Sequence, residues 1–266
     1  MKKNRLLVTL MVVSVLAAFT ALSFLMLGKS GFFASVFSLP SVPFFIIYML
    51  GFIAGINVNL IIHEGGHYVF GKLTGYEFIS FRIGSIMFIK EEGRITRKKF
   101  SLMGTGGQCL LRPSVINEEL PTIPYNMGGV SANVIFSFVL VLLACAINNG
   151  AVRLFLAMMA ASGLYLAVAN GIPMNVGGID NDGMNVVSIM KSSASRKAFL
   201  YQLEINARQL QGMELHQIPE EMFEVDSDEN NSLINTIKML KGSRLLGLNR
   251  LDESYEIMNS LKNKEV

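Results

Sequence analysis

The chain is short of charge, has no tryptophan, and carries only two cysteines and three histidines in 266 residues. Charged side chains make up 16% while 51% of residues are hydrophobic; ordinary soluble domains carry roughly 25% charge, so a wholly soluble body is excluded. Two cysteines cannot build a disulfide framework. Cys145 falls within an apolar run, and Cys109 lies in a segment assigned below to the cytoplasmic side, where thiols stay reduced. No histidine neighbours either cysteine in sequence, so neither reads as a nucleophile. No basic stretch is interleaved with aromatics, which removes nucleic acid as a partner. The formal charge of +3 fits a membrane protein with a basic cytoplasmic side.

What the chain has instead is long uncharged runs. Residues 6–27, 43–62, 127–147 and 154–172 each lack charge or nearly so, and each approaches the ~20 residues a helix needs to cross a bilayer. Four membrane helices are expected. The first run follows Met1-Lys2-Lys3-Asn4-Arg5 but is longer than a signal-peptide core and lacks a small-x-small cleavage site, so it reads as a retained span. Lys2, Lys3 and Arg5 precede it, residues 28–41 hold only Lys29, and the segment after the second run holds Lys72, Arg82, Lys90, Arg94, Arg97, Lys98, Lys99 and Arg112. Only Arg153 follows the third run. This alternation predicts a multi-pass protein of the cell membrane with both termini and the long middle segment in the cytoplasm.

The second run ends in His63-Glu64-Gly65-Gly66-His67. On a helix, residues i and i+4 share a face, so the two imidazoles point at one centre with Glu64 beside it. Ionisable groups at membrane depth are costly and mark function. Two neutral imidazoles and a carboxylate suit a Zn2+ ion whose bound water loses its proton to Glu64. Gly65 and Gly66 each cost roughly 1 kcal/mol in helix propensity, which suggests a small face kept for close approach by a helix or a substrate. A catalytic zinc site normally takes a third protein ligand. The acidic residues bordering the spans are Asp180 and Asp182, just past the fourth, on the same membrane face as the histidines by the topology above. Asp182, followed by Gly183 for a tight turn, is the choice, and Asp180 the substitute. Pro173 is expected to break the fourth helix and free carbonyls lining a cavity.

His63-Glu64-Gly65-Gly66-His67, Gly128-Gly129-Val130-Ser131-Ala132-Asn133, and Asn170-Gly171-Ile172-Pro173 with Asp182-Gly183 together resemble the site-2 protease family of intramembrane zinc metalloproteases. Leu102-Met103-Gly104-Thr105-Gly106-Gly107-Gln108 is similar to the glycine-rich stretch that often follows that family's first core helix. The likeness covers roughly residues 43–185 and is of a bacterial kind, with a C-terminal helical extension. It implies a three-helix core, His63, His67 and Asp182 as metal ligands, Glu64 as catalytic base, zinc as cofactor, and a membrane-embedded or membrane-adjacent peptide or protein as substrate. Two departures stand out. Gly129 occupies a position usually held by proline, and the interval from Asn170 to Asp182 is longer than the compact pattern.

Residues 76–108 read as β: Phe78, Phe81, Ile83, Ile86, Phe88 and Ile89 precede Glu91-Glu92-Gly93-Arg94, a hairpin turn, and Ile95-Thr96. This is either a membrane-surface hairpin or a strand edge that receives an extended substrate. The glycines at 104, 106 and 107 read as a bend rather than a phosphate loop. Ser131 and Asn133 are expected to bond a neighbouring helix. Beyond 185, apolar residues recur at helical spacing at Leu200, Leu203, Ala207 and Leu210, at Leu233, Ile234, Ile237 and Leu240, and at Leu251, Tyr255, Met258 and Leu261. Pro219 and acidic residues 220–229 divide the first of these helices from the second, and Gly247 the second from the third. The last pair resembles a tetratricopeptide hairpin, a place for a protein partner. The expected fold is therefore mainly α. A four-span bundle carries a small β-hairpin region after the histidine-bearing helix and a cytosolic α-helical extension. Its units are 1–42, an anchor and external loop; 43–184, the metalloprotease core with a β-rich loop at 76–110; and 185–266, the extension. The rival reading is a metal-binding membrane protein that transports or confers immunity and hydrolyses nothing.

Overall fold

The computed structural model describes residues 2–100, 106–117, 119–227 and 229–262. The expected glycine-rich stretch at 102–108 thus lies partly outside the described residues. The chain is mainly helical with a small sheet, and four helices are long and apolar enough to cross a membrane. They are α1 (Lys2–Lys29), α3 (Ser41–Leu73), α4 (Ile123–Ala146) and α5 (Gly150–Gly171). A short α2 (Phe32–Phe37) interrupts the loop between the first two. α1 and α3 outrun their uncharged stretches at both ends, whereas α4 and α5 begin four residues before theirs and stop one residue short of their ends. α3 has 33 residues, about 50 Å at 1.5 Å per residue, against a hydrocarbon core of ~30 Å.

α3, α4 and α5 pack on one another through small and polar residues. A Cβ on Gly66 of α3 would meet the Gly128 carbonyl and lie 2.6 Å from Ala132 Cβ of α4, so the two helices touch backbone to backbone. Asn59 Nδ2 donates to the Met159 carbonyl (2.9 Å) and Ser137 Oγ to the Ala160 carbonyl (3.0 Å), tying α3 and α4 to α5. Such bonds hold apolar helices together where no hydrophobic force separates helix from lipid. α1 lies against α4 and α5. Its Arg5 Nη2 donates to the Pro173 carbonyl at 3.2 Å, so the start of α1 and the exit of α5 share one end of the bundle. At the other end the buried Arg153 donates to the Ser30 and Ile147 carbonyls and to Ser35 Oγ.

Past α3 comes an antiparallel sheet of four strands: β1 (Tyr76–Ile83), β2 (Ile86–Glu91), β3 (Arg94–Lys99) and β4 (Gly107–Pro113), in the order β3-β2-β1-β4. The expected turn is present: Glu92 and Gly93 have φ of 47° and 79° between paired Glu91 and Arg94, as a two-residue hairpin demands. Two expectations need correcting. The stretch from Phe78 to Ile89 is two strands reversed at Gly84-Ser85, where Gly84 has φ 56°. The β region extends past 110 to Pro113, because β4 pairs with β1 along its length. Sequence periodicity could not reveal that fourth strand, since its stability comes from a partner far along the chain.

After α5 a small hairpin of β5 (Asn175–Val176) and β6 (Ile179–Asp180) leads into α6 (Asp182–Ile189), α7 (Ser193–Leu210), two short 3-10 turns, α8 (Ser232–Gly247) and α9 (Leu251–Lys262). The periodic segments expected as helices are α7, α8 and α9. Gly247 lies within the last turn of α8, and the left-handed residue after it is Asn249 (φ 60°). The expected unit boundary at 184/185 falls inside α6. The C-terminal helices do not stand apart from what precedes them. Leu200, Ile205, Ile234 and Ile237 share one core with Tyr76, Leu110 and Leu111 of the sheet and Tyr125 of α4.

Candidate metal centre

His63 and His67 stand one turn apart on α3, buried, with their Nε2 atoms 3.2 Å apart. Asp182 opens α6, and its Oδ2 lies 3.1 Å from His63 Nε2 and 3.4 Å from His67 Nε2. Two ligands on a tetrahedral ion stand roughly 3.3–3.4 Å apart when both bonds are about 2.0–2.1 Å long. The three donor atoms therefore mark out one face of such a tetrahedron. His67 Nδ1 is 2.8 Å from the Tyr125 carbonyl, which can only accept. The proton thus sits on Nδ1 and the Nε2 lone pair turns toward its two neighbours. Lone pairs and a carboxylate converging on one point are what a cation requires, and His63, His67 and Asp182 could hold one. A donor set of two nitrogens and one oxygen suits zinc and its neighbours better than calcium or magnesium, which take oxygen.

Several residues hold these ligands in place. Asn133 Nδ2 lies 3.3 Å from His63 Nδ1 while its Oδ1 is buried without a partner among the described residues. Turning that amide by 180° lets Oδ1 accept the Nδ1 proton of a His63 ligating through Nε2. The expectation that Asn133 bonds a neighbouring helix is thus met in a particular way: it meets the ligand itself. A Cβ on Gly129 would lie 2.5–2.6 Å from the His63 ring atoms, so the ring fills the space a side chain at 129 would need. A side chain at 129 would displace the ring.

Asp182 is positioned by Asn181, which sequence reasoning missed. Its Nδ2 donates to the Ala169 and Ile172 carbonyls (both 2.7 Å), and its Oδ1 accepts from the backbone N–H of Met174 (3.0 Å) and Met184 (2.9 Å). One side chain thereby caps α6 and clasps it to the broken end of α5. An asparagine directly before a helical aspartate was the available signal. The carbonyls that Pro173 was expected to free are taken by Asn181 and Arg5. Gly183 makes no tight turn. It is helical, and a Cβ there would run into the Gly171 carbonyl, so its smallness lets α6 abut α5. Burial opposes charge on Asp182, but the His67 and His63 rings, when protonated, outweigh it and hold the carboxyl well below the usual range. Asp180, the substitute, belongs to β6, where one oxygen accepts from Asn175 Nδ2 at 2.5 Å; it is not in the donor group. Burial pushes its carboxyl up.

Glu64 is buried beside this group. A Cβ on Gly107 would fall 2.6 Å from Glu64 Oε1, so the start of β4 packs its bare backbone on the carboxylate, with the Cys109 N–H facing it. Tyr125 donates its hydroxyl to the Cys109 carbonyl (2.9 Å) and stacks on Tyr76, joining strand, helix and histidine. Burial pushes the Cys109 thiol up, away from thiolate chemistry. His216 pairs with Glu214 at 3.2 Å and takes no part. All four site residues line a cavity of about 820 Å3, bounded also by the start of β4, the β5–β6 hairpin, α7 and α8. Comparison with protein-family models, with curated proteins and with solved structures returns no match.

Proposed function

We propose that this chain is a zinc-dependent intramembrane endopeptidase that hydrolyses a peptide bond in or next to the bilayer. The observation that carries the proposal is the placing of Glu64 beside three converging donors, His63, His67 and Asp182, on the wall of one cavity. The resemblance of the same residues to the site-2 protease pattern supplies the reaction class. Bound zinc would polarise the scissile carbonyl and lower the pKa of a water from about 15.7 towards 7. Glu64 accepts the proton of the attacking water and returns it to the leaving amine. Tyr125 and Asn133 keep the imidazoles in the ligating tautomer, and Asn181 holds Asp182 in register. β4 is an edge strand whose first residues line the cavity, and an extended substrate can pair along it.

In this reading α1, α3, α4 and α5 cross the cell membrane, and both termini, the sheet and the C-terminal helices lie in the cytoplasm. The Arg5 bond to the exit of α5 and the basic sheet support that orientation. The test is metal analysis of the purified protein, paired with a comparison of cleaved membrane peptides in cells bearing wild type or Glu64→Gln. Glu64→Gln should keep its zinc and lose cleavage by roughly 10²–10⁴-fold, whereas Asp182→Ala should lose zinc as well. Full biological activity in Glu64→Gln favours the transport or immunity reading, which needs the ligands and no base.

A further inference from the structure

We propose that one face of α7, with the first turn of α8, forms a trough that binds an extended, extramembrane segment of polypeptide next to the bond that is cut. The inference deepens the endopeptidase reading and rests on it. Phe199, Gln202, Leu203 and Asn206 line the cavity from α7, and Ser232 and Thr236 line it from α8. The α7 residues are spaced i, i+3, i+4 and i+7, a single stripe of the helix. Phe199 and Leu203 of that stripe are buried in the same core as Ala198, Leu200 and Ile205. A helix present only for packing would be apolar along the whole stripe. This one places two primary amides between and beyond those apolar residues, and among the described residues neither Gln202 nor Asn206 has a side-chain hydrogen bond to the protein.

Primary amides both donate and accept, and an extended backbone presents N–H and C=O groups in alternation. A helical substrate has already satisfied those groups within itself and gains nothing from such a wall. The trough therefore selects an unfolded segment outside the apolar zone, not an intact membrane helix. Among the described residues the lining away from the metal-donor group holds Asp180 and no lysine or arginine, so acidic segments are disfavoured. Across from α7, the β5–β6 hairpin contributes Asp180 and Ile179; this insertion lengthens the interval between Asn170 and Asp182. The volume of about 820 Å3 lies within the 300–1,000 Å3 typical of ligand sites.

The experiment uses the full-length, zinc-loaded protein in micelles and a set of short unstructured synthetic peptides, some neutral and some acidic, with retention on the Glu64→Gln form read by mass spectrometry. Neutral peptides should be retained in preference to acidic ones. Gln202→Ala/Asn206→Ala should weaken retention roughly tenfold, through the loss of amide hydrogen bonds that water partly replaces. Zinc content should not change, and Asn206→Gln should restore much of the binding in the single-site background. Undiminished retention in the double variant, or no retention by the parent, overturns the trough. Peptides that are retained through Gln202 and Asn206 but left uncut by protein with Glu64 intact overturn the endopeptidase reading while the trough stands. Cleavage with retention indifferent to the double substitution does the reverse.

Discussion

In the bundle, Asn59, Asn133, Ser137 and Ser162 are buried while Phe24, Phe45, Ile53 and Ile135 face outward; in the sheet and C-terminal helices, Leu111, Leu200, Ile205 and Ile234 are buried while β3 turns all its residues outward, four of them basic. The contrast is one of solvent. Against water, apolar area drives burial at roughly 25 cal/mol per Å2. Against lipid that drive vanishes between helices, and cohesion passes to backbone approach and interhelical hydrogen bonds. The trio that could hold a metal ion sits where the two regimes meet, with His63 and His67 on a bundle helix and Asp182 on the first helix beyond the bundle.

The largest effect expected from this contrast is in leucine truncation. Leu200→Ala, in the shared core, should cost about 2–5 kcal/mol, whereas Leu50→Ala, 56% exposed on α3, should change stability by about 0.5 kcal/mol or less. Denaturant titration in micelles measures both, and equal losses would mean that the outer face of α3 is covered by protein. Next come the paired glycines. A Cβ at 66 has no room against α4, while nothing lies within 4 Å of one at 65. Gly66→Ala should therefore cost about 1–3 kcal/mol and, on the proposed function, loosen zinc by shifting His67. Gly65→Ala should be neutral or gain up to about 1 kcal/mol. Melting curves and zinc retention, run side by side, separate the two; a matched response would break the backbone-contact argument. Among substitutions that break a packed contact, the smallest loss belongs to Asn59→Leu, which removes one interhelical bond worth about 0.6 kcal/mol and should shift the melting curve only slightly.

Much of the fold was legible because it rests on local signals. The four apolar runs, the Glu92-Gly93 turn and the α7, α8 and α9 periodicities each lie within a few turns of chain. The pairing of His63 with His67 follows from helical geometry alone. Three things were not legible. β4 contains two glycines or prolines at its ends and no alternation, so only its pairing with β1 makes it a strand. The support given by Tyr125 and Asn133 depends on neighbours far away in sequence, whereas the clasp made by Asn181 is local and only its partners at the broken end of α5 were hidden. The small face at Gly65-Gly66 was read as a unit, yet packing gives only Gly66 a neighbouring helix.

The amino-acid order alone determined that this chain has four membrane-length helices, that two imidazoles and a carboxylate share one of them, and that helices follow; composition and periodicity act over short distances and carry that information directly. Only the tertiary structure decided that Asp182 and not Asp180 meets the histidines, that β4 lies against Glu64, and that the C-terminal helices wall the same cavity. Those outcomes turn on a few ångströms of approach between segments some forty to well over a hundred residues apart, set by the whole packed core and by no local pattern.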